Sequence, residues 1–362
     1  LESPPDGQRQ PRGAAHVSPL GHPAGRLALA LIGVASLLAC ESRLVSSASE
    51  ADENRADFEV LWHAVDAHYP YLEFKEVNWD SLYTAFGPRV EAARGDEFYL
   101  VLDDLLAHLR DGHVYYKTPG GGREIYPWVP PRRVRDQHRY DPFVVRRYFD
   151  QPLRLSASGT VEYGILPDSI GYAFLSDFHE DYLIRDFPVV MGSMRGTRGL
   201  ILDIRQRRGG TPPNVEAVVS RFVTAPLPYP PAYLYGVPVD WLPVQPVRNA
   251  TYTAPVVVLI NGLTFSAGEF CAEMLKQIPS VTALGDTTGG GSAGGTSAPG
   301  FSSPLHLPSG RWVDFGNLDI RRYDGLPWEN LGVPPDIRVP QPEADLRAGH
   351  DRQLEAAIER LR

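Results

Sequence analysis

The 362-residue chain is poor in cysteine, with only Cys40 and Cys271. Two cysteines cannot build a disulfide framework, so the fold must depend on an apolar core. The composition allows such a core, because 43% of the residues are hydrophobic and 22% are charged. Cys271 lies in an apolar helical pattern, where a free cysteine usually packs in the core.

The chain also lacks a surplus of positive charge. Its 35 lysine and arginine residues are outnumbered by 44 aspartate and glutamate residues, which gives a formal net charge of −9. No basic domain or stripe stands out, and this excludes a nucleic-acid-binding protein. Lysine is scarce, with only Lys75, Lys117 and Lys276, so chemistry that needs a lysine has few candidates.

No apolar run is long enough to span a bilayer as a helix. The most apolar stretch, LALALIGVASLLA (residues 27–39), follows Arg26 and precedes Cys40. A positive residue, a short apolar core and small residues before a break are typical of a secretory signal. Leu-Leu-Ala-Cys resembles a bacterial lipoprotein signal, which implies that Cys40 carries lipid. The alternative is an ordinary signal peptide with an incidental cysteine.

Five regions are predicted along the chain. Between Phe58 and Leu109 apolar residues recur at helical spacing, and beyond Ile165 strand-like runs alternate with helical patterns. Such alternation indicates crossover units and a partly parallel sheet. The regions are a signal region (1–40), a flexible polar tether (41–56), a helical domain (57–112), a Pro/Arg-rich connecting segment with short strands (113–164) and an α/β domain (165–362). The arginines of the connecting segment lie among prolines, so they are predicted outside any helix.

Ser266 is the first candidate site residue. It follows the strand-like run APVVVLI (254–260) and a short turn, and it begins a helical pattern. The serine with Glu269 has the S-x-x-E spacing of a capping box, so one interpretation is a helix cap. The other is a nucleophile, because the free amides of a helix N-terminus, including that of Ala267, can stabilise an oxyanion.

A nucleophilic serine needs a base. Lys276 lies ten residues along the same helix, roughly 15 Å from Ser266, and cannot reach it. His113 is the favoured base because it follows Asp-Gly and opens the strand-like HVYYK. His108 is predicted to face solvent. His179 lies beside three carboxylates, but their spacing matches no known metal-ligand motif, so no metal is predicted.

Two further elements complete the predicted constellation. Gly209 and Gly210 follow a strand ending in Asp-Ile-Arg, and their amides are unobstructed by side chains. Glu329, in WENLGVPPDI, is the candidate acid that orients the histidine and stabilises its protonated form. Asp324 and Asp336 compete for that role, although either could simply hold a turn.

Five stretches in order resemble the C-terminal processing (tail-specific) serine peptidase family, in its tricorn-core-like branch. They are DGH (111–113), SIGYAFLSDF, GLILDIRQRRGG, NGLTFSAGEF and ENLGVPPDI. The resemblance implies a ClpP/crotonase-like α/β catalytic domain preceded by a small helical domain. It also implies Ser266 as nucleophile, His113 as base and Glu329 as orienting acid, with an oxyanion hole from Ala267 and Gly209 or Gly210.

The chain departs from that family's pattern at three places. Position 291 is glycine, where the better-known branch has a lysine, and this is consistent with a histidine base. Residues 114–164 are too few for a PDZ domain. RQRRGG replaces the commoner Asn-Gly-Gly ending, so which glycine supplies the oxyanion amide stays open.

The sequence therefore predicts an exported, lipid-anchored serine endopeptidase of the cell envelope, without cofactor or metal. Its partners would be a peptide or protein substrate and, through the lipid, a membrane. The alternative is a non-catalytic lipoprotein that binds a peptide or apolar ligand in the same cleft. An esterase of the α/β-hydrolase type is disfavoured because G-x-S-x-G is absent.

Overall fold

The computed structural model describes residues 49–118, 122–205, 209–292, 294–296 and 301–362. The described residues from 51 onward form one compact unit. Cys40, the signal region and the first part of the tether (41–48) lie outside the described residues. Within the ranges described, no helix combines the length and apolar character needed to cross a membrane.

The elements are numbered in chain order. The helices are α1 (residues 49–68), α2 (Trp79–Ala92), α3 (Glu97–Ala107), α4 (Pro131–Asp136), α5 (Pro142–Arg146), α6 (Tyr182–Ser193), α7 (Pro212–Val219), α8 (Ala267–Leu275), α9 (Glu343–Arg347) and α10 (Arg352–Leu361). The strands are β1 (Tyr115–Lys117), β2 (Arg154–Leu155), β3 (Val161–Leu166), β4 (Ile170–Leu175), β5 (Gly199–Asp203), β6 (Ala232–Leu234), β7 (Val237–Pro238), β8 (Val256–Ile260), β9 (Val281–Gly285), β10 (Leu305–His306), β11 (Trp312–Asp314), β12 (Leu318–Ile320) and β13 (Ile337–Arg338).

Helices α1 to α3 form the N-terminal helical region that the apolar periodicity predicts. Asn78 is the N-cap of α2, and its side chain accepts a hydrogen bond from the Ser81 amide at 3.0 Å. The buried faces of these helices share one core with residues from the β10–β11 region, among them Phe301 and Phe315. The helical region therefore packs on later parts of the chain and does not close its own core.

The predicted tether is too long at its C-terminal end, because residues 49–56 belong to α1. Asn54 and Asp57 are both fully buried there. The Asn54 amide donates to the Ala93 carbonyl at 3.2 Å, and Asp57 pairs with Arg311 at 2.8 Å. These buried polar contacts fix a segment whose composition alone indicates a flexible chain.

The prediction that the arginines of the connecting segment lie outside helices is wrong. Arg132, Arg133 and Arg135 lie on α4, which begins directly at Pro131. Proline is tolerated in the first turn of a helix, where its missing N–H would have no intrahelical acceptor. A proline read as a loop residue is here the start of a helix.

A seven-stranded sheet forms the centre of the α/β part, in the order β13-β9-β8-β5-β4-β3-β2. Strands β4, β5, β8, β9 and β13 are parallel, whereas β2 and β3 are antiparallel to their neighbours. The predicted mixed α/β class with a partly parallel sheet is confirmed. Since parallel strands end at the same edge, the loops after β5 and β8 emerge side by side.

Arg205 fixes the edge from which these loops emerge. It is fully buried just beyond β5, and its guanidinium binds Asp203 at 2.7 Å and Asp351 at 2.9 Å. Asp351 is also the N-cap of α10, where it accepts from the Leu354 amide at 3.0 Å. The ion pairs therefore join the end of β5 to the C-terminal helix.

Replacing Arg205 should be costly. Arg205→Met leaves two buried carboxylates without their counter-charge, and we expect a loss of about 3–5 kcal/mol in the free energy of unfolding. Urea denaturation measures it. The control is Arg362→Ala, which removes an exposed pair with Asp168 and should cost less than about 1 kcal/mol. Equal costs for the two variants would contradict the assignment of Arg205 as a buried anchor.

Candidate active site

The turn before Ser266 is held from three directions. The Gly262 amide donates to Asp136 of α4 at 2.7 Å, and the Leu263 amide donates to the Asn261 side chain at 2.9 Å. The Thr264 hydroxyl donates to the Ile204 carbonyl at 2.9 Å, beside the end of β5. The turn is therefore rigid and tied to both the connecting segment and the sheet.

Ser266 lies at the N-cap of α8 in a backbone conformation that side chains rarely adopt, with φ 55° and ψ −120°. Such conformations cost energy and persist only where surrounding contacts over-determine them. Here the Ser266 amide donates to Glu269 Oε2 at 3.0 Å. The serine side chain is half-buried, so the strained backbone presents a partly accessible hydroxyl.

Glu269 is fully buried, and its carboxylate accepts hydrogen bonds from the backbone before it in the chain and from a loop after it. Besides the Ser266 amide, it accepts from the amides of Gly290 and Gly291, both at 2.8 Å, and from the Thr288 hydroxyl at 2.5 Å. Burial raises the pKa of Glu269 to about 7, against the opposing effect of these hydrogen bonds. This carboxyl joins the serine to a glycine-rich loop and makes the capping contact that S-x-x-E predicts.

Gly209 packs directly on the serine. A Cβ at this position would lie 2.7 Å from Ser266 Cβ and 2.9 Å from Ser266 Oγ, so only glycine fits without movement. The Gly209 carbonyl accepts from the Phe178 amide at 3.0 Å, which fixes the loop beside the strand end. Gly210 has φ 152°, and a Cβ there would lie 2.0 Å from the Phe178 carbonyl oxygen.

The predicted oxyanion groups therefore lie close to the serine. Ala267 is the first residue of α8, so its amide has no acceptor within the helix. A Cβ on Gly209 would be only 3.7 Å from that Ala267 nitrogen. The main chain of Gly209 and the first amide of α8 thus lie close to Ser266 Oγ; stabilisation of an oxyanion there stays a prediction.

His113 lies in the same cleft as Ser266. Its ring stacks on Phe265, the residue before the serine, with 4.7 Å between ring centroids, and 18% of its side chain is exposed. Among the described residues, neither ring nitrogen has a hydrogen-bond partner. The structure therefore brings His113 and Ser266 into one cleft without a hydrogen bond between them.

The surroundings of His113 favour the neutral form of its ring. Burial lowers the pKa of His113 to about 4; Arg133 acts in the same direction, and Asp111 and Asp314 oppose it. An unprotonated imidazole at neutral pH is the form that a general base requires.

Glu329 makes its hydrogen bonds with groups other than the imidazole. It is fully buried, and its Oε1 accepts from Lys75 Nζ at 2.7 Å while Oε2 accepts from the Ser292 amide at 3.0 Å. Burial, together with the charge of Asp111, raises its pKa to about 8 against the effect of Lys75. The carboxylate oxygen that faces the ring belongs to Asp111, whose Oδ1 is 4.0 Å from His113 Nδ1. The orienting role of Glu329 stays a prediction.

Two residues of this site were missed at the level of sequence. Lys75 has no motif around it, and Asp111 was read only as part of the turn before His113. The one available signal is scarcity: in a chain with three lysines, a lysine in the helical region is unusual. Its partners come from residues 36 and 254 positions away, and no local pattern reports such a contact.

The remaining candidates lie elsewhere or serve other contacts. Lys276 pairs with Asp336 at 3.3 Å, and Asp336 also accepts from the Ala283 amide at 2.8 Å. Asp324 pairs with Arg322 at 2.7 Å. His179 lines the cleft, and its amide donates to Asp177 at 3.1 Å.

The cleft around Ser266 has a volume of about 1110 Å³. One wall comes from the connecting segment, where Tyr126, Val129 and Val134 are 43%, 46% and 51% exposed. Glu124 and Asp314 add negative charge to the lining, and Arg133 and His179 add basic groups. The site is an open, partly apolar groove lined by both His113 and Ser266.

Comparison with known families gives two matches. Residues 169–339 match the model of peptidase family S41, and residues 50–107 match the model of the tricorn protease C1 domain. Tricorn protease homolog 1 of Streptomyces coelicolor is 28% identical over 253 residues, which is 67% of this chain and 20% of that protein. The chain therefore spans about a fifth of the length of this curated relative.

Solved structures share the fold. A protein of Parabacteroides merdae described as a peptidase has a TM-score of 0.72 at 24% identity, over 85% of this chain and 96% of its own. Mature CPAF in complex with lactacystin has a TM-score of 0.62 at 14% identity, over 86% and 98%. The tricorn protease has a TM-score of 0.53 at 15% identity, over 86% and 36%. At these identities the likeness establishes the fold alone.

The raised pKa of Glu329 predicts a pH-dependent stability. Between pH 6.5 and 8 an unfolded glutamate, with its ordinary pKa of 4.5, has lost its proton, whereas folded Glu329 retains part of it. The unfolded state then binds fewer protons, so the free energy of unfolding should fall as pH rises through this window. His113 opposes this trend only near pH 6.5, where the unfolded imidazole, with its ordinary pKa of 6.5, is still partly protonated and the folded ring is neutral; toward pH 8 it is neutral in both states.

Urea denaturation at several pH values checks this, with Glu329→Gln as the comparison. The variant lacks the carboxyl at position 329, whereas Glu269, whose pKa is raised to about 7, titrates in both proteins, so the stability of the variant should depend less steeply on pH from 6.5 to 8. A wild-type stability that rises across the window would contradict the assignment of a raised pKa.

Proposed function

We propose, from the match of residues 169–339 to the model of peptidase family S41, that the chain is a serine endopeptidase of the cell envelope. It acts on extended peptides or unfolded proteins through an acyl-enzyme. The observation that carries this proposal is the contact of Gly209 with Ser266 at the N-terminus of α8, with a neutral His113 in the same cleft.

In the proposed reaction Ser266 is the nucleophile, His113 transfers protons, and backbone amides stabilise the oxyanion. Ser266 Oγ attacks the peptide carbonyl carbon while His113 takes the hydroxyl proton. The negative charge on the carbonyl oxygen is stabilised by the amides of Ala267 and of Gly209 or Gly210. The C–N bond breaks as His113 gives its proton to the leaving amine. Water, deprotonated by the same histidine, then hydrolyses the ester and restores Ser266.

The lining of the cleft supports a peptide substrate. Half-exposed Tyr126, Val129 and Val134 on one wall offer apolar surface to substrate side chains. Exposed apolar side chains concentrated at one groove are typical of a binding site. An extended segment would present its side chains to this wall and a backbone carbonyl to the floor.

Labelling with a fluorophosphonate probe tests the nucleophile. Wild-type protein should label covalently at Ser266, and Ser266→Ala should lose the label because no activated hydroxyl remains. His113→Gln should label at least about 100-fold more slowly. Ser193→Ala, which removes an exposed hydroxyl on α6, is the control and should label like wild type.

Peptide hydrolysis by the same variants separates the enzyme from the binding lipoprotein. We expect wild-type protein to cleave members of a peptide library at internal bonds. Tight binding of peptide with neither labelling nor cleavage would instead favour the non-catalytic alternative.

The proposed location in the envelope rests on the sequence motif at Cys40. Metabolic labelling with a radioactive fatty acid in a bacterial host should mark the full chain, because the thiol of Cys40 accepts lipid. Cys40→Ser should remove the label, whereas Cys271→Ser, which changes a buried thiol, should retain it. Labelling that persists in Cys40→Ser would contradict the anchor.

A further inference from the structure

We propose that Asp111 and Lys75 are positioning residues for His113, with Asp111 orienting the imidazole and Lys75 joining Asp111 to Glu329. This inference rests on the proposed role of His113 as base. Asp111 is then the carboxylate that acts on the His113 ring, because Glu329 makes its contacts with Lys75 and Ser292.

Asp111 is placed to face the ring. Its side chain is fully buried, and its Oδ1 accepts from the His113 amide at 2.8 Å and lies 4.0 Å from His113 Nδ1. Its Oδ2 accepts from the Tyr69 hydroxyl at 2.6 Å. One oxygen is thus held by tyrosine while the other lies 4.0 Å from the ring nitrogen, and we expect an Nδ1–H···Oδ1 hydrogen bond to form when the ring turns toward it.

Lys75 holds the carboxylate in that place. Its ammonium is 2% exposed and donates to Glu329 Oε1 at 2.7 Å, to the Tyr69 hydroxyl at 2.6 Å and to the Leu109 carbonyl at 3.0 Å. Asp111 Oδ2 is 3.4 Å away. A single buried ammonium therefore lies between two buried carboxyls, and its charge counters the effect by which ionised Asp111 raises the pKa of Glu329.

The charges agree with this placement. Burial alone would raise the pKa of Asp111, but the charges of Lys75 and His113 and the hydrogen bond from Tyr69 lower it, so Asp111 is the ionised carboxylate of the cluster. The charged groups that act on His113 are Asp111, Arg133, Asp314 and Lys75. Of these, Asp111 is the one that favours the protonated ring most.

A purely structural role is the competing explanation, because removing one partner of any buried ion pair destabilises a protein. Asp57→Asn supplies the matched control. Asp57 is also fully buried, also belongs to the helical region, and pairs with Arg311 at 2.8 Å. It should lower the stability without changing the titration of His113 or the kinetics.

The experiment compares full-length wild type, Asp111→Asn, Glu329→Gln and Asp57→Asn. NMR titration of His113 should give a lower pKa in Asp111→Asn than in wild type, because the nearest negative charge is gone. The kcat for a cleaved peptide should fall about 100-fold or more in this variant with KM little changed. Lys75→Met combined with Glu329→Gln, which removes the ammonium and its second carboxyl together, should lower kcat by up to about 100-fold through misplacement of Asp111.

Two outcomes would overturn the proposal. One is a larger shift of the His113 pKa in Glu329→Gln than in Asp111→Asn. The other is an Asp111→Asn variant that matches Asp57→Asn in both titration and kinetics. Because the titration needs no turnover, it remains informative even if wild type fails to cleave peptides, which would count only against the proposed function.

A measurement on wild type covers the case in which Asp111→Asn does not fold. On acidification through the pKa of His113, about 4, an Nδ1 proton should appear far downfield, as expected of a charge-assisted hydrogen bond to a carboxylate. His113→Gln identifies the resonance by its loss. A protonated ring without that downfield proton would rule out the Asp111 contact.

Discussion

The buried ammonium of Lys75 is the contact on which the arrangement of the site depends. It joins a turn of the helical region to Asp111, beside His113, and to Glu329, in the C-terminal third of the chain. The ionised carboxylate of Asp111 could not stay buried without a counter-charge, since burial of an unpaired charge costs several kcal/mol. The Lys75 ammonium therefore both stabilises buried Asp111 and helps to fix the position of His113, whose amide Asp111 binds.

A second buried carboxyl, that of Glu269, fixes the backbone of Ser266. Glu269 binds the Ser266 amide and the amides of Gly290 and Gly291, and the next residue, Ser292, donates to Glu329. Hydrogen bonds, together with the peptide link from Gly291 to Ser292, thus connect the backbone of Ser266 through the glycine-rich loop to the Lys75 contact. A strained serine conformation persists there because its neighbours hold it on every side.

Much of the fold could be predicted from residue patterns. The alternation of apolar strands and helices after Ile165 indicated the parallel core of the sheet, and the helical spacing between Phe58 and Leu109 indicated the N-terminal helices. The antiparallel edge strands and α4 were missed, since short elements that begin at proline or carry mixed polarity have no distinctive period. Tertiary contacts, such as that of Asp136 with the Gly262 amide, decide whether they form.

The sequence by itself determined the residue types and the local geometry of the site: a serine at a helix start, a glycine pair after a strand, and a histidine after Asp-Gly. These follow from short-range backbone requirements, which leave a mark within a few residues. Only the tertiary structure decided which groups meet. It packed Gly209 against Ser266 and stacked the His113 ring on Phe265. It also placed the carboxylate of Asp111 4.0 Å from His113 Nδ1. Such contacts span long stretches of chain, and they are fixed by burial and charge pairing that no local pattern records.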